Sequence, residues 1–201
     1  MDLGIDLGTS RTVICSEDGG ILLDEATAIA LGRDDEVIAC GDEAETMIGR
    51  TPPTIRAVHP VVKGVIAEYE AAELLLRRFL HRVCHDRVAK PCVAVSIAEQ
   101  MTDVERRSFI EAVVSAGARR VTLVPETVAA AIGAGIDVTL PSGQMIVNFG
   151  GGTTDVSVIS LKGEAASASV RTGGTAVDDA ICRYLRAKYG VAVSLRAAET
   201  I

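Results

Sequence analysis

Tryptophan is missing from this 201-residue chain, and aromatic residues of all kinds make up only 3% of it. A core without large rings has to be built from Ala, Val, Ile and Leu, and at 48% hydrophobic residues the material for one is ample. Basic charge is also in deficit: 20 Lys and Arg stand against 27 Asp and Glu, a formal net charge of −7. Nucleic acid backbones are held by basic footprints, so nucleic acid is excluded as the main partner. A single nucleotide is not, because backbone N–H dipoles can cradle a phosphate without side-chain charge. No run approaches the roughly 18 apolar residues of a membrane-spanning helix. Residues 1–5 lead straight into the first expected strand, which leaves no room for a signal peptide or an anchor helix. Cys15, Cys40, Cys84, Cys92 and Cys182 are scattered, odd in number and without a C-x-x-C pair. Neither a disulfide framework nor a zinc knuckle is indicated, and a reduced cytoplasmic setting is expected. His81, Cys84 and His85 come nearest to metal-ligand spacing, but further ligands are not evident, so a helix end with solvated histidines is expected there.

What the chain does have is a repeat. Asp6-Leu7-Gly8-Thr9-Ser10-Arg11-Thr12 and Asn148-Phe149-Gly150-Gly151-Gly152-Thr153-Thr154 stand 142 positions apart, each between two short apolar runs. Strand, glycine and hydroxyl turn, strand predicts a hairpin whose tip presents bare N–H groups, and glycine allows a ligand close to that backbone. Two such hairpins facing one another would grip a polyphosphate from both sides.

Around the repeat the chain reads as follows. Strands are expected near 2–6, 12–16, 20–24 and 27–31, with Asp18-Gly19-Gly20 as a hairpin turn. Residues 32–64, rich in Gly and Pro, suit a small inserted subdomain. An apolar stripe from Ala71 to Val83 predicts a helix over 67–85. Val93, Val95 and Ile97 predict a strand. Thr102 with Glu105 is a capping box that opens a helix ending at Gly117. A strand at 121–124 and a helix over 126–132 follow. After Pro141-Ser142-Gly143 the pattern starts again, with strands over 145–149, 153–161 and 164–171 and a helix over 175–189. Antiparallel strands followed by alternating helix and strand make a three-layer α/β unit, and the second copy is shorter than the first. A second sheet cut short would leave an unpaired edge and an uncovered apolar face.

Ile5-Asp6-Leu7-Gly8-Thr9 paired with Gly150 to Thr154 resembles the phosphate signature of the actin, sugar kinase and DnaK-type chaperone superfamily. Met47 to Pro52, Gly64 to Tyr69, Thr102 to Arg107, Ala129 to Gly133 and Gly150 to Ser160 are together most similar to the MreB family of bacterial actins, over somewhat more than its first half. The resemblance implies an actin-like (ribonuclease H-like) fold, with 1–31 and 65–141 as subdomain IA, 32–64 as the inserted IB and 142–201 as the start of IIA. It implies that ATP binds between two domains, with Thr9, Ser10, Arg11, Gly151, Gly152, Thr153 and Gly174 around the phosphates and Glu199 toward the ribose. Asp6 and Asn148 would hold the waters around Mg²⁺, although the family has aspartate at both places. Glu126 would orient the attacking water with Thr153, although the family pattern Glu-Glu-Pro reads Pro125-Glu126-Thr127 here. Arg11 could bind phosphate or lie on the surface. Gly173, Gly174 and Asp178 could approach the nucleotide or simply begin a helix. Val88 and Ala89 stand where some relatives insert bulky apolar residues into a membrane; two small side chains make a surface loop the expected reading.

Two functions are compatible with this. One is a cytoskeletal protein that forms filaments with copies of itself, works with cell-wall elongation proteins to direct cell shape, and is at most a slow ATPase, in the cytoplasm or at the inner face of the membrane. The other is a truncated or divergent interaction module that does not hydrolyse ATP, which Asn148 favours. A sugar kinase fits less well, because the longer matching stretches are not those of a kinase.

Overall fold

The computed structural model describes residues 2–18, 20–84 and 89–201. Gly19 of the expected first turn, His85 of the histidine group and Val88 of the surface loop lie outside the described residues. In chain order the elements are β1 (Asp2–Leu7), β2 (Arg11–Ser16), β3 (Ile21–Ala26), β4 (Ile29–Leu31), β5 (Val37–Cys40), α1 (Asp42–Met47), β6 (Arg56–Val58), β7 (Val61–Val62), β8 (Val65–Ile66), α2 (Tyr69–Val83), β9 (Cys92–Ile97), α3 (Asp103–Ser115), β10 (Arg120–Pro125), α4 (Glu126–Gly133), β11 (Gln144–Phe149), β12 (Thr154–Ser160), β13 (Gly163–Val170), α5 (Gly174–Tyr189) and α6 (Leu195–Glu199).

The main sheet has five strands in the order β10-β9-β1-β2-β3. Its first three strands are an antiparallel meander, and β9 and β10 add to it in parallel. Alternation sends Leu3, Ile5, Leu7, Ile14, Val93, Val95 and Ile97 to one face, where they meet Leu75, Leu76 and Phe79 of α2 and Phe109, Ala112 and Val113 of α3. These side chains are almost wholly buried, and each large one stabilises the fold by about 1.5–3 kcal/mol. Helix α3 opens as its capping box dictates: Glu105 N–H donates to Thr102 Oγ1, and Thr102 N–H donates to Glu105 Oε2 at 2.8 Å. It ends before Gly117, whose φ of +125° turns the chain toward β10. The opposite face of the sheet, with Gly4, Asp6, Cys15, Ala94 and Ser96, opens onto a concavity of about 510 Å³ walled by α4.

The expected fourth strand is shorter than the sequence suggests and does not extend the main sheet. It pairs with β5 and β6 in a small sheet of its own. Ala26, Ala28, Ala30, Ala39 and Ala44 pack there in a second core, where the absence of bulk lets α1 lie close to the strands.

The second sheet, β11-β12-β13, repeats the opening meander. Its pairing is the same: Asp6 stands opposite Val13 and Leu7 opposite Thr12, while Asn148 stands opposite Asp155 and Phe149 opposite Thr154. Its two faces are distributed unusually. Asp155, Ser157 and Ile159 turn inward and are buried, while Met145, Val147 and Phe149 point outward and are mostly exposed.

Candidate functional site

Both repeat hairpins close with the same bond. Gly8 N–H donates to the Arg11 carbonyl at 3.0 Å, and Gly150 N–H donates to the Thr153 carbonyl at 2.9 Å. The two tips meet. A Cβ on Gly151 would stand 3.3 Å from Ser10 N, and one on Gly152 would stand 2.9 Å from Thr9 Cβ. Only residues without a side chain can face Thr9 and Ser10 this closely, which is the physical reason for the glycine run.

A third turn, not foreseen from the sequence, seals the meeting point. Lys63 and Gly64 both have positive φ and form the tight turn between β7 and β8. Gly64 N–H donates to Thr9 Oγ1 at 3.1 Å, and the Lys63 backbone lies against Gly152. The Lys63-Gly64 pair after two valines was a hairpin signal in its own right.

The second loop is also held from behind. Gly174 N–H donates to the Gly150 carbonyl at 3.0 Å, and Thr175 donates to the Gly151 carbonyl through N–H at 2.9 Å and Oγ1 at 2.8 Å. Gly173 packs on the same backbone, where a side chain would collide with Gly150 and Gly151. Gly174 thus braces the loop with its own N–H.

The candidate residues distribute over three openings. Thr9, Ser10, Arg11, Asp178 and Glu199 line a cleft of about 630 Å³, together with Asp42, His59 and Arg196. Asp6, Glu126 and Asn148 line the concavity beneath α4. Thr153, nearly buried, borders a small crevice with Lys63, Gly64 and Arg171. Glu126 and Thr153 therefore face different spaces, and no hydrogen bond joins them among the described residues.

Arg11 is held by acids. Its Nε donates to Asp24 Oδ1 at 2.6 Å and its Nη1 to Asp42 Oδ1 at 3.3 Å, and Asp42 also accepts from Ala26 N–H at 2.8 Å. The guanidinium ties β2 to β3 and α1, and a phosphate would have to compete with both carboxylates for it.

Two carboxyls beside the concavity are perturbed. Asp6 accepts from Ser96 Oγ at 2.8 Å. It opens onto solvent, yet the protein around it raises its pKa, which the Ser96 bond opposes. Glu126 accepts from Asn148 Nδ2 at 3.0 Å. Burial first, then the charges of Asp6 and Asp155, push it up to about 7. A group poised there can give or take a proton near neutrality.

Ligand fit can be judged on these groups. Gly151 and Gly152 stand against Ser10, Thr9 and Lys63, and the cleft beside that contact is lined by Thr9 and Ser10, whose hydroxyls suit a phosphate. Asp6 of β1 supplies a carboxylate, and Asn148 of β11 supplies an amide. That set suits a Mg²⁺ ion that keeps its waters and takes most of its charge from phosphates.

A family model described as MreB/Mbl protein matches residues 1–201. The cell shape-determining protein MreB of Escherichia coli (strain K12) is 43% identical over 207 residues, covering 100% of this chain and 60% of the relative. The cell shape-determining protein Mbl of Bacillus subtilis (strain 168) is 38% identical over 202 residues, covering 100% of this chain and 61% of the relative. Among solved structures, MreB5 of Spiroplasma citri bound to ADP superposes with a TM-score of 0.91 at 34% identity, over 99% of this chain and 60% of that one. The MamK double helical filament superposes with a TM-score of 0.81 over 99% of this chain and 63% of that one; at 19% identity it speaks for the actin-like fold alone. The chain thus spans about 60% of the length of the relatives it matches.

Proposed function

This chain belongs to the MreB/Mbl family, and on that footing we propose that it is the part of a bacterial actin-like cytoskeletal protein that holds the phosphates of ATP. The observation that carries the reading is the meeting of two duplicated hairpins, Ser10 against Gly151 and Thr9 against Gly152. A relative at 34% identity was crystallised with ADP, and the same protein with AMPPNP. In this reading residues 1–31 and 65–141 form subdomain IA, 32–64 form IB, and 142–201 begin IIA.

Thr9, Ser10, Gly151, Gly152 and Thr153 hold the phosphates through backbone N–H groups and hydroxyls, with Gly174 bracing the second loop. Glu199, on the wall of the larger cleft, takes the ribose. Asp6 and Asn148 orient waters around Mg²⁺, which when bound neutralises phosphate charge. Glu126 accepts a proton from water near neutral pH, while Thr153, which borders the small crevice instead, serves the phosphate loop. Filaments of copies of the whole protein, acting with cell-wall elongation proteins at the inner face of the membrane, complete the proposal. Among the described residues no helix is long and apolar enough to cross a membrane. Ala89 in the expected surface loop is exposed beside Lys90, and two small side chains there give little to a bilayer.

One observation favours the second reading, an ATP-binding module that does not hydrolyse. Asn148 is tied to Glu126, so the amide engages the proposed base. Thermal unfolding with ATP, ADP and AMPPNP, each with and without Mg²⁺, tests the binding step. Nucleotide should raise the midpoint, and Mg²⁺ should add to it. No shift with any nucleotide at millimolar concentration would refute the assignment. Phosphate release alongside sedimentation with ATP separates the hydrolysing reading from the silent one.

A further inference from the structure

A polar cluster that the proposed nucleotide site does not use lies where the segment after β9 and helix α4 meet β12 and β13. Thr127 and Ser157 are buried there, 0% and 1% exposed. Their hydroxyl oxygens lie 2.8 Å apart and reach Glu164 Oε1 at 2.8 and 2.7 Å. Thr127 also reaches Glu99 Oε1 at 3.2 Å. The carboxyls of Glu99 and Glu164, one from each side of the junction, thus converge on the same Thr127 hydroxyl.

Proton counting makes this arrangement informative. Four oxygen–oxygen contacts join the four side chains. The two hydroxyls bring only two protons, and an ionised carboxylate brings none. With both glutamates ionised, Thr127 has one proton for two negative oxygens, so one carboxylate oxygen faces its hydroxyl with no hydrogen between. One proton on the pair lets that carboxyl donate to the Thr127 oxygen instead.

Among the described residues no cation pairs with these carboxyls. From β12, the buried Asp155 accepts Glu99 N–H through Oδ1 at 3.2 Å, while its Oδ2 has no partner. From α4, Glu126 adds a further negative charge. From α3, Arg106 donates to the Glu99 carbonyl at 3.2 Å, not to its carboxyl.

We propose that Glu99 and Glu164 share a single proton across the junction of the two sheets and form a proton-linked clasp, closed while the proton is held and loosened when it leaves. Burial, then the adjacent Glu164, raise Glu99 to about 7. Burial also works to raise Glu164, but hydrogen bonds from Glu99, Ser157 and Thr127 outweigh it and hold that carboxyl below the usual value. Separated in water, both groups would ionise near about 4.3. The closed junction therefore binds one more proton than the open one between that pH and about 7, and closure weakens as pH rises through the upper value. Ser10 lies on one side of this junction and Gly151 on the other, so a loosened clasp lets the facing loops part.

Carboxyl-carbon NMR of the full chain with labelled glutamate, from about pH 4 to about pH 9, tests this. One signal, lost in Glu99→Gln, should titrate above about pH 6, and it should move down by about a unit or more in Glu164→Gln, whose amide donates to Glu99. In parallel, Glu99→Gln, a permanent donor to Glu164, should show a shallower fall of thermal midpoint between about pH 6 and about pH 8 than the unmodified chain. A Glu99 carboxyl that titrates near the ordinary glutamate value overturns the clasp, as does a Glu99→Gln chain with the unmodified pH slope. If Glu99→Gln does not fold, the Glu164→Gln titration decides alone.

Discussion

Asn148 donates its side-chain N–H to Glu126 Oε2 at 3.0 Å, so the residue that replaces the family's second aspartate is bonded to the proposed base. Burial and the charges of Asp6 and Asp155 already hold Glu126 near 7. In Asn148→Asp the donor disappears and a second carboxylate faces the first. Without divalent cation this variant should lose about 1–3 kcal/mol, the usual cost of a broken buried bond, and Glu126 should titrate higher still. Mg²⁺ with ATP should then stabilise the variant more than the unmodified chain, because the site has gained a charge. Urea unfolding with and without Mg²⁺ reads both effects. Equal stability in the absence of metal would mean that the Asn148–Glu126 bond is not formed in solution.

Gly152 gives the sharpest steric prediction. A methyl group there meets Thr9 Cβ at 2.9 Å and the Lys63 Cα at 2.8 Å, and Lys63 belongs to a backbone turn that cannot swing aside. Gly152→Ala should cost about 1–3 kcal/mol through overpacking and force the hairpin tips apart. Nucleotide should then no longer raise its unfolding midpoint. Gly133→Ala, in the last turn of α4 with open space around the new methyl, is the matched control and should leave nucleotide protection intact.

Acid should act at a different place from alkali. Glu105 is held below the usual carboxyl value, first by the Thr102 backbone N–H and then by Arg171, whose Nη2 donates to it at 2.8 Å. A lowered folded pKa gives stability that is present above the unfolded value and lost as pH falls through the folded one. Glu105→Gln should therefore flatten the acid limb of the stability curve and leave the limb above about pH 6 unchanged. Thr102→Ala should cost about 1 kcal/mol at neutral pH by removing the cap. Thermal midpoints of both variants across the pH range check the two claims together.

The repeat, the capping box, the α2 stripe and the glycine cradle were legible because each rests on local spacing. Glu99, Thr127, Ser157 and Glu164 were not: they are far apart in sequence, and none stands in a recognisable motif. The apolar run at β11 read correctly as a strand, but which face it would bury was not legible. Met145, Val147 and Phe149 turn outward while Asp155 and Ser157 of the paired strand are buried, because the inward face meets the polar side of α4, where Glu126 and Thr127 bond to Asn148 and Ser157. Alternation fixes the period, and only tertiary packing fixes which side is the core. The fourth strand was expected over 27–31 and forms over Ile29–Leu31; its separate sheet was not legible, since its partners β5 and β6 come later in the chain.

That distribution of faces predicts uneven local stability. Strands β1 and β9 are central to the main sheet and carry Leu3, Ile5, Val93 and Val95 at 2% exposure or less. Helix α5 has no buried residue, and β13 is exposed along most of its length. Amides in β1, β9 and α2 should exchange only through global opening, whereas those in α5 and β13 should exchange through local opening at much lower free energy. Hydrogen exchange read by fragment mass spectrometry at one pH separates the two classes. Adding ATP with Mg²⁺ should slow exchange at the start of α5, where Gly174 and Thr175 brace the Gly150–Gly151 backbone, more than in β13. Uniform protection over residues 142–201 without nucleotide would show that the exposed apolar face is covered in solution.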